Sequence, residues 1–205
     1  MRRFVSAVLL ALCLSTSAHG QGRIEITLKQ GSKAEAQTKE QLQRLLGSYD
    51  VSQWIFTRSI TIDEKAFPYS HPILTLHTRH LRDDELLLST FVHEQLHWFF
   101  AQKDQETEDA IKDLHGLFAT VPTHLPEGGN DERSTYLHLM VCDLEYLADQ
   151  QLLGELKARQ VMDFWATDHY TWVYKTVLER RREIENIMSK HKLSLRSGGS
   201  RTNER

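Results

Sequence analysis

Short stretches in the first part of the chain place apolar residues as β-strands do. Residues 23–28 and 72–78 alternate their side chains between two faces, and residues 54–62 are rich in β-branched and aromatic residues. Residues 33–47 instead place leucines on one helical face and end at a glycine, which is typical of a helix terminus. The pattern predicts three strands and one helix.

Beyond residue 80 the apolar residues recur at helical spacing. Asp83 or Asp84 can cap the first of these segments, which is apolar on nearly every side. The predicted helices cover residues 85–102, residues 107–118, the segment from a cap at Asn130 or Asp131 to residue 153, and residues 163–188. The predicted fold class is therefore α+β, with a small mixed sheet followed by a helical half.

Length and charge limit the classes of protein that remain. A chain of 205 residues can form one domain with a hydrophobic core, which we place at residues 21–190. The formal net charge of −3 gives no basic surface, so we expect no nucleic-acid partner. Eleven histidines are many for this length and suggest metal or acid–base chemistry. Residues 191–205 are polar and are predicted to form a disordered tail.

The N-terminus has the composition of a secretory signal peptide. Two arginines precede the apolar run of residues 4–14, and small residues follow as far as Gly20. We expect cleavage of residues 1–20, a secreted or periplasmic location, and no stable membrane insertion of the mature chain, with an uncleaved anchor as the alternative. Cleavage would leave Cys142 as the single cysteine, so no internal disulfide is expected.

The sequence HEQLH, residues 93–97, lies inside the apolar helix predicted at residues 85–102. His93 and His97 are four residues apart, so both imidazoles project from one helical face and can bind one metal ion. Glu94 is placed so that its carboxylate can reach a metal-bound water. Burying these groups without a partner would cost free energy, which favours a zinc site over two histidines satisfied by hydrogen bonds in a helical core.

The strand at residues 72–78, followed by the helix with HEQLH, resembles the catalytic core of zincin metallopeptidases of the gluzincin-like kind. The resemblance implies a zinc (Zn2+) cofactor and an edge strand that pairs with an extended peptide substrate. The longer metzincin signature is absent, because Phe100 and Lys103 stand where its glycine and third histidine would be.

The third metal ligand has to come from elsewhere in the chain, and the long helix that ends at residue 153 offers two candidates. At about 100° per residue, His138 and Glu145 lie together at one border of its apolar stripe. One of them could bind the metal while the other contacts a metal-binding residue. His138 is slightly favoured as the third ligand. Similarity to gluzincin motifs also nominates Asp131, in NDERST, and Glu127, in LPEGG.

Zincins also use a tyrosine or histidine to stabilise the negatively charged oxygen of the tetrahedral intermediate. His169, Tyr170 and Tyr174 lie in the last predicted helix, and we take His169 and Tyr170 as the candidate catalytic residues. The alternative for all three is aromatic packing at helical spacing. Cys142 is interpreted as a small buried residue rather than a ligand or nucleophile.

These residues predict a secreted or periplasmic zinc-dependent metallopeptidase that hydrolyses a peptide or protein substrate. A metal-activated water would attack the peptide carbonyl while Glu94, as general base, takes its proton. The alternative is a non-catalytic protein with the same fold, in which zinc only holds helices together or the cleft binds peptides without cutting them.

Overall fold

The structure, a computed structural model, describes residues 23–195. The predicted signal peptide lies outside this range, so the secreted or periplasmic location stays a prediction. Within the range, three strands, six α-helices and one short 3-10 helix confirm the α+β class. None of the helices in residues 23–195 combines the length and the apolar character that crossing a membrane requires.

The elements form two groups along the chain. The first group contains the sheet and one helix: β1 (Glu25–Leu28), α1 (Lys33–Ser48), β2 (Ser59–Ile62) and β3 (Leu74–Leu76). The second group is helical: α2 (Asp84–Ala101), α3 (Asp104–Leu117), α4 (Glu132–Leu153), α5 (Glu155–Asp168) and α6 (Thr171–Lys190). α4 packs against α2, α3, α5 and α6, so it forms the centre of the helical half.

The sheet is parallel rather than mixed. β2 lies between β1 and β3, and its Ile60 stands opposite Ile26 in β1 and Leu74 in β3. α1 supplies the crossover that a parallel pair of strands requires. Among the described residues, the one isolated antiparallel bridge joins Tyr69 to Thr75 on β3. Alternation along a strand predicts its existence but not its direction, which explains the error.

β2 is shorter than the stretch predicted at residues 54–62, because a side chain replaces part of its hydrogen-bond ladder. Ser52–Trp54 forms the 3-10 helix instead. The Gln95 Oε1 atom accepts hydrogen bonds from the N–H groups of Phe56 at 2.7 Å and Thr57 at 2.8 Å. Its Nε2 atom donates to the Thr57 carbonyl at 2.9 Å. The segment before β2 is thereby attached to α2 inside the HEQLH motif.

α2 is buried on nearly all sides, as its apolar sequence predicted. It packs against β3 and against α1, α3, α4 and α5. Of the two predicted capping residues, Asp83 caps the helix by accepting a hydrogen bond from the Leu86 N–H at 3.2 Å, whereas Asp84 pairs with Arg44. The motif therefore lies on a helix whose position is set by both halves of the fold.

The last predicted helix, residues 163–188, is two helices in the structure. α5 ends at Asp168 and α6 begins at Thr171, and Tyr170 between them has a left-handed φ of 50°. The Thr171 N–H bonds outside the helix, to the carbonyl of Pro126 at 2.8 Å. Helical periodicity continues through the break, so the pattern could not reveal it.

The first residues of the predicted tail belong to the folded domain. Leu193 is 0% exposed, and its N–H donates to the Met188 carbonyl at 2.9 Å. The His191 ring is attached to Asp113 at 2.7 Å. Composition alone placed this stretch outside the domain, but the buried Leu193 attaches it to the core.

Gln95→Ala is expected to lower the free energy of unfolding by roughly 2–4 kcal/mol, because two N–H groups and one carbonyl lose their buried partner. Gln102→Ala is the matched control, since Gln102 is exposed at the end of the same helix and makes one bond, to the Phe56 carbonyl at 3.2 Å. It should change the stability by less than about 0.5 kcal/mol. Urea unfolding followed by circular dichroism measures both, and equal effects would contradict the anchoring role of Gln95.

Candidate metal centre

A cleft of about 570 Å³ contains most of the predicted functional residues. It is lined by the segments that follow β2 and β3, by α2 and α4, and by the junction between α5 and α6. His93, Glu94 and His97 from α2 and His138 from α4 all line it. The structure thus brings together the motif and the favoured third-ligand candidate.

The three imidazoles face one another. Three ring nitrogens, one from each of His93, His97 and His138, lie within 4.8 Å of one another. The ring centres are 5.1 Å apart for His93 and His97, 5.6 Å for His93 and His138, and 4.9 Å for His97 and His138. This group could hold a metal ion.

The hydrogen bonds of these rings leave the right nitrogens for a metal. His93 uses Nδ1 for the Glu145 carboxylate at 2.8 Å, and His138 donates from Nδ1 to the Ser134 carbonyl at 2.6 Å. Each neutral ring therefore keeps the lone pair on Nε2. The Nε2 atoms of His93 and His97 are 3.3 Å apart. Two ligands of one zinc, each about 2.0–2.1 Å from it at a tetrahedral angle, are also about 3.3 Å apart.

The protonation states also suit metal binding. Burial, followed by the neighbouring His93, lowers the pKa of His138 to about 3. Burial and the other two rings lower the pKa of His97 well below its usual range. Burial opposes charge on His93 as well, but the Glu145 carboxylate outweighs it and raises the pKa of His93. Neutral imidazole is the form that binds metal, and two of the three rings are held in it.

Glu145 lies behind His93 rather than beside the other two histidines. It is 0% exposed, and its carboxylate accepts hydrogen bonds from the hydroxyls of Ser89 and Tyr174 in addition to the His93 bond. The Trp165 indole N–H donates to Ser89 at 3.0 Å and so extends the network. A carboxylate in this place fixes the orientation and tautomer of the imidazole in front of it.

A second group of possible ligands, His93, Cys142 and Glu145, fits an ion less well. Its atoms also lie within 4.8 Å of one another. The distance of 2.8 Å between His93 Nδ1 and Glu145 Oε2 is that of a hydrogen bond. Burial raises the pKa of Cys142 well above its usual range, whereas a metal binds the thiolate. Cys142 is a buried thiol, as predicted.

Glu94 lines the cleft next to His93 and is only 6% exposed. Burial raises the pKa of Glu94 to about 7, while the nearby His93 acts in the opposite direction. A carboxyl group with a pKa near neutrality can take up and release a proton at physiological pH.

The α5–α6 break places His169 and Tyr170 at the cleft instead of on a continuous helix. The Tyr170 ring centre is 4.1 Å from that of His138. His169 Nδ1 is 2.9 Å from Asp168 Oδ2, which leaves its Nε2 unused by this contact. Tyr174 also lines the cleft, but its hydroxyl is committed to Glu145.

Sequence reasoning missed two residues of this wall, Asp168 and Arg79. Arg79 donates to both carboxylate oxygens of Asp168, with Nη1 2.9 Å from Oδ2. This pairing lowers the pKa of Asp168 to about 2. The adjacency of Asp168 and His169 in the sequence was a signal for the contact between these two side chains. Nothing in the sequence connects Arg79 to them. His77, His80 and Trp165 also line the cleft without having been predicted.

Two weaker ligand candidates have structural roles instead. Asp131 caps α4, because its carboxylate accepts the Ser134 N–H at 2.6 Å. The Glu127 carbonyl accepts the Trp172 N–H at 3.1 Å, and its side chain lies 3.8 Å from His124, outside the cleft. Gly128 belongs to the same loop, and a Cβ there would come within 2.3 Å of a backbone oxygen. LPEGG is therefore a loop that caps α6.

The outer edge of β3 is partly occupied by the chain itself. The Tyr69 N–H is 3.1 Å from the Thr75 carbonyl, and the Thr75 N–H is 2.8 Å from the Tyr69 carbonyl. A peptide cannot add to the sheet at Thr75 while this bridge is present. The expectation that β3 pairs directly with substrate therefore does not hold at this position.

Comparison with protein-family models, with curated proteins and with solved structures finds no match to this chain. The geometry of the cleft therefore carries any assignment of function.

A second buried carboxyl group follows Glu145 one turn later on α4. Asp149 is 0% exposed, and neither of its oxygens has a hydrogen-bond partner among the described residues. Burial and the Glu145 carboxylate raise the pKa of Asp149 well above its usual range. Burial therefore favours the uncharged form of the Asp149 carboxyl group in the folded protein.

Asp149→Asn is expected to stabilise the zinc-free protein at neutral pH. In the unfolded chain the Asp149 carboxyl group ionises near the model-peptide pKa of about 3.9, whereas burial raises its pKa in the folded protein, so the wild type loses stability as the pH rises above about 3.9. The variant lacks this loss, so its advantage should grow as the pH rises from about 3.9 toward the raised pKa of the folded state, by at most about 1.4 kcal/mol per pH unit. Urea unfolding at several pH values measures the difference. A constant difference would mean that Asp149 is ionised in the folded state.

Proposed function

We propose that the protein is a zinc-dependent metallopeptidase with a zincin-like active site. The observation that carries the proposal is the convergence of His93, His97 and His138 in a cleft, with Glu94 beside them. A catalytic zinc has three protein ligands and an open fourth position, whereas a structural zinc is closed by a fourth protein ligand. Within residues 23–195 this group has three members, which favours the catalytic kind over the non-catalytic alternative.

In the proposed site, His93, His97 and His138 hold the ion and Glu145 orients His93. Bound zinc would supply the acidity of a coordinated water and the polarisation of a substrate carbonyl. The buried Glu145 carboxylate increases the basicity of the His93 ring and keeps its Nε2 directed at the other two ligands.

Glu94 is the proposed general base. It takes a proton from the attacking water as the new C–O bond forms at the peptide carbonyl. It then delivers that proton to the amide nitrogen as the C–N bond breaks, so the products are a carboxylic acid and an amine. Its place on α2, directly after a ligand histidine and facing the cleft, supports this role.

His169 and Tyr170 are the proposed donors to the carbonyl oxygen as negative charge develops there. Tyr170 stands beside His138, and Asp168 holds Nδ1 of His169. Because Nδ1 donates to Asp168, His169 can donate from Nε2 only as the imidazolium, a form that burial opposes and the Asp168 carboxylate favours. Asp168 is then a positioning residue for this wall of the cleft.

The purified protein, supplied with zinc and then desalted, is expected to contain about one zinc ion per chain. His93→Ala and His138→Ala should lose it, because each removes a ligand. Glu145→Ala should keep the site but bind zinc roughly 10–100-fold more weakly. Plasma mass spectrometry measures the content, and competition with a chelator measures the affinity.

His115→Ala is the control for that series, because His115 is exposed on α3 and does not line the cleft. It should bind zinc like the wild type. Folded wild-type protein that takes up no zinc would remove both the metal and the peptidase proposals. Loss of zinc in Glu145→Ala with full retention in His138→Ala would make Glu145 the third ligand.

Glu94→Gln is expected to retain zinc and to lower kcat by roughly 10²–10⁴-fold, because the amide cannot accept the proton. Hydrolysis of a fluorescently labelled unfolded protein measures the rate. Undiminished activity in the variant would exclude Glu94 as the base. A zinc-loaded wild type without any hydrolysis would instead favour the non-catalytic alternative.

A further inference from the structure

Apart from Glu94, the charged side chains of the cleft are held by neighbouring groups. Apart from histidines, the described lining contains four of them: Arg79, Glu94, Glu145 and Asp168. Arg79 is joined to Asp168 through both carboxylate oxygens, and Glu145 is buried beneath three donors. A substrate carboxylate would meet no unpaired cationic side chain here, and a substrate ammonium would meet no free carboxylate other than Glu94.

The rim of the cleft is apolar. Phe67 is 89% exposed, Tyr69 45% and Leu125 55%, and all three line the cleft. They make up half of the six large exposed apolar side chains among the described residues, so exposed apolar surface is concentrated at this opening. Surface apolar residues gathered at a cleft mark a binding site more often than scattered ones do.

Backbone contacts hold both sides of this rim in place. On one side, the Tyr69 backbone is paired with Thr75, and the neighbouring Ser70 carbonyl accepts the Trp98 indole N–H at 2.8 Å. On the other side, the loop with Leu125 is attached to the first turn of α6 through the Pro126 carbonyl. The rim is therefore part of the fold on both walls of the metal centre.

We propose that the cleft binds an internal stretch of polypeptide, whose uncharged backbone crosses the three histidines and whose apolar side chain lies against Phe67, Tyr69 and Leu125. This inference rests on the proposed function and gives it a direction: the enzyme cuts within chains rather than at their ends. A free terminus carries a charge that would have to be desolvated with no lining side chain free to pair with it apart from Glu94, which is unfavourable. An internal segment carries none.

The position of the cuts tests this proposal. Zinc-loaded wild-type protein is incubated with a mixed pool of peptides, one half with free termini and the other half acetylated and amidated at their ends. Mass spectrometry of the products should show internal cuts in both halves, next to apolar residues. Stepwise release of end residues from the free peptides, with the capped ones intact, would overturn it.

Substitution of the rim tests the contact itself. Phe67→Ser should raise KM for capped apolar peptides about tenfold, the loss expected for one large apolar contact, with kcat nearly unchanged. Leu156→Ser is the matched control, because Leu156 is 75% exposed on α5 and does not line the cleft. Equal KM values for the two variants would contradict the rim as the binding surface.

A binding measurement separates this inference from the proposed function. If the wild type cleaves nothing, the peptidase proposal fails, and retention of capped peptides on immobilised Glu94→Gln protein decides the ligand. The inference would still be supported if the protein retains apolar capped peptides and if adding Phe67→Ser weakens that retention. No retention, or Phe67-dependent binding to phosphatidylcholine vesicles instead of peptides, would overturn it.

Discussion

The hydrogen bond between Glu145 and His93 is the interaction on which the rest of the site depends. A carboxylate with no exposed surface is costly unless donors surround it, and here Ser89 and His93 from α2 and Tyr174 from α6 supply them. The same group therefore joins α2, α4 and α6 and fixes the His93 ring. Removing the Glu145 carboxylate would leave the donors from α2 and α6 without their partner. It would also leave the orientation of His93, a candidate ligand, unfixed.

Backbone groups outside the regular elements decide how the cleft is closed. Helix ends leave N–H groups without partners, and those of α6 bond the carbonyls of Pro126 and Glu127. That contact brings the loop before α4 to the α5–α6 break, where His169 and Tyr170 stand. On the other wall, the Ser70 carbonyl accepts the indole N–H of Trp98 from α2. The cleft is thus formed by loops that are fixed to helices at both sides of the histidines.

The distribution of polarity in the cleft follows from the cost of leaving charged groups without partners in the folded protein. Arg79 and Asp168, at the wall of the cleft, satisfy each other, and the buried Glu145 is satisfied by three donors, so these charges do not remain free for a ligand. Three imidazoles and the buried Glu94 occupy the centre, and apolar side chains occupy the opening. Such a surface suits an uncharged backbone with apolar side chains.

The sequence by itself determined the class of the fold, the helix that carries HEQLH and the pairing of His93 with His97, because helical periodicity and four-residue spacing are local properties. It also named His138 and Glu145 as the leading candidates for the third ligand on α4, beside the weaker Asp131. Only the tertiary structure decided that His138 faces the other two rings while Glu145 stands behind His93, since this depends on how α4 is rotated against α2. The parallel sheet, the break at Tyr170, the buried Leu193 and the Arg79–Asp168 pair were likewise decided by contacts between residues far apart in the chain, which no local pattern encodes.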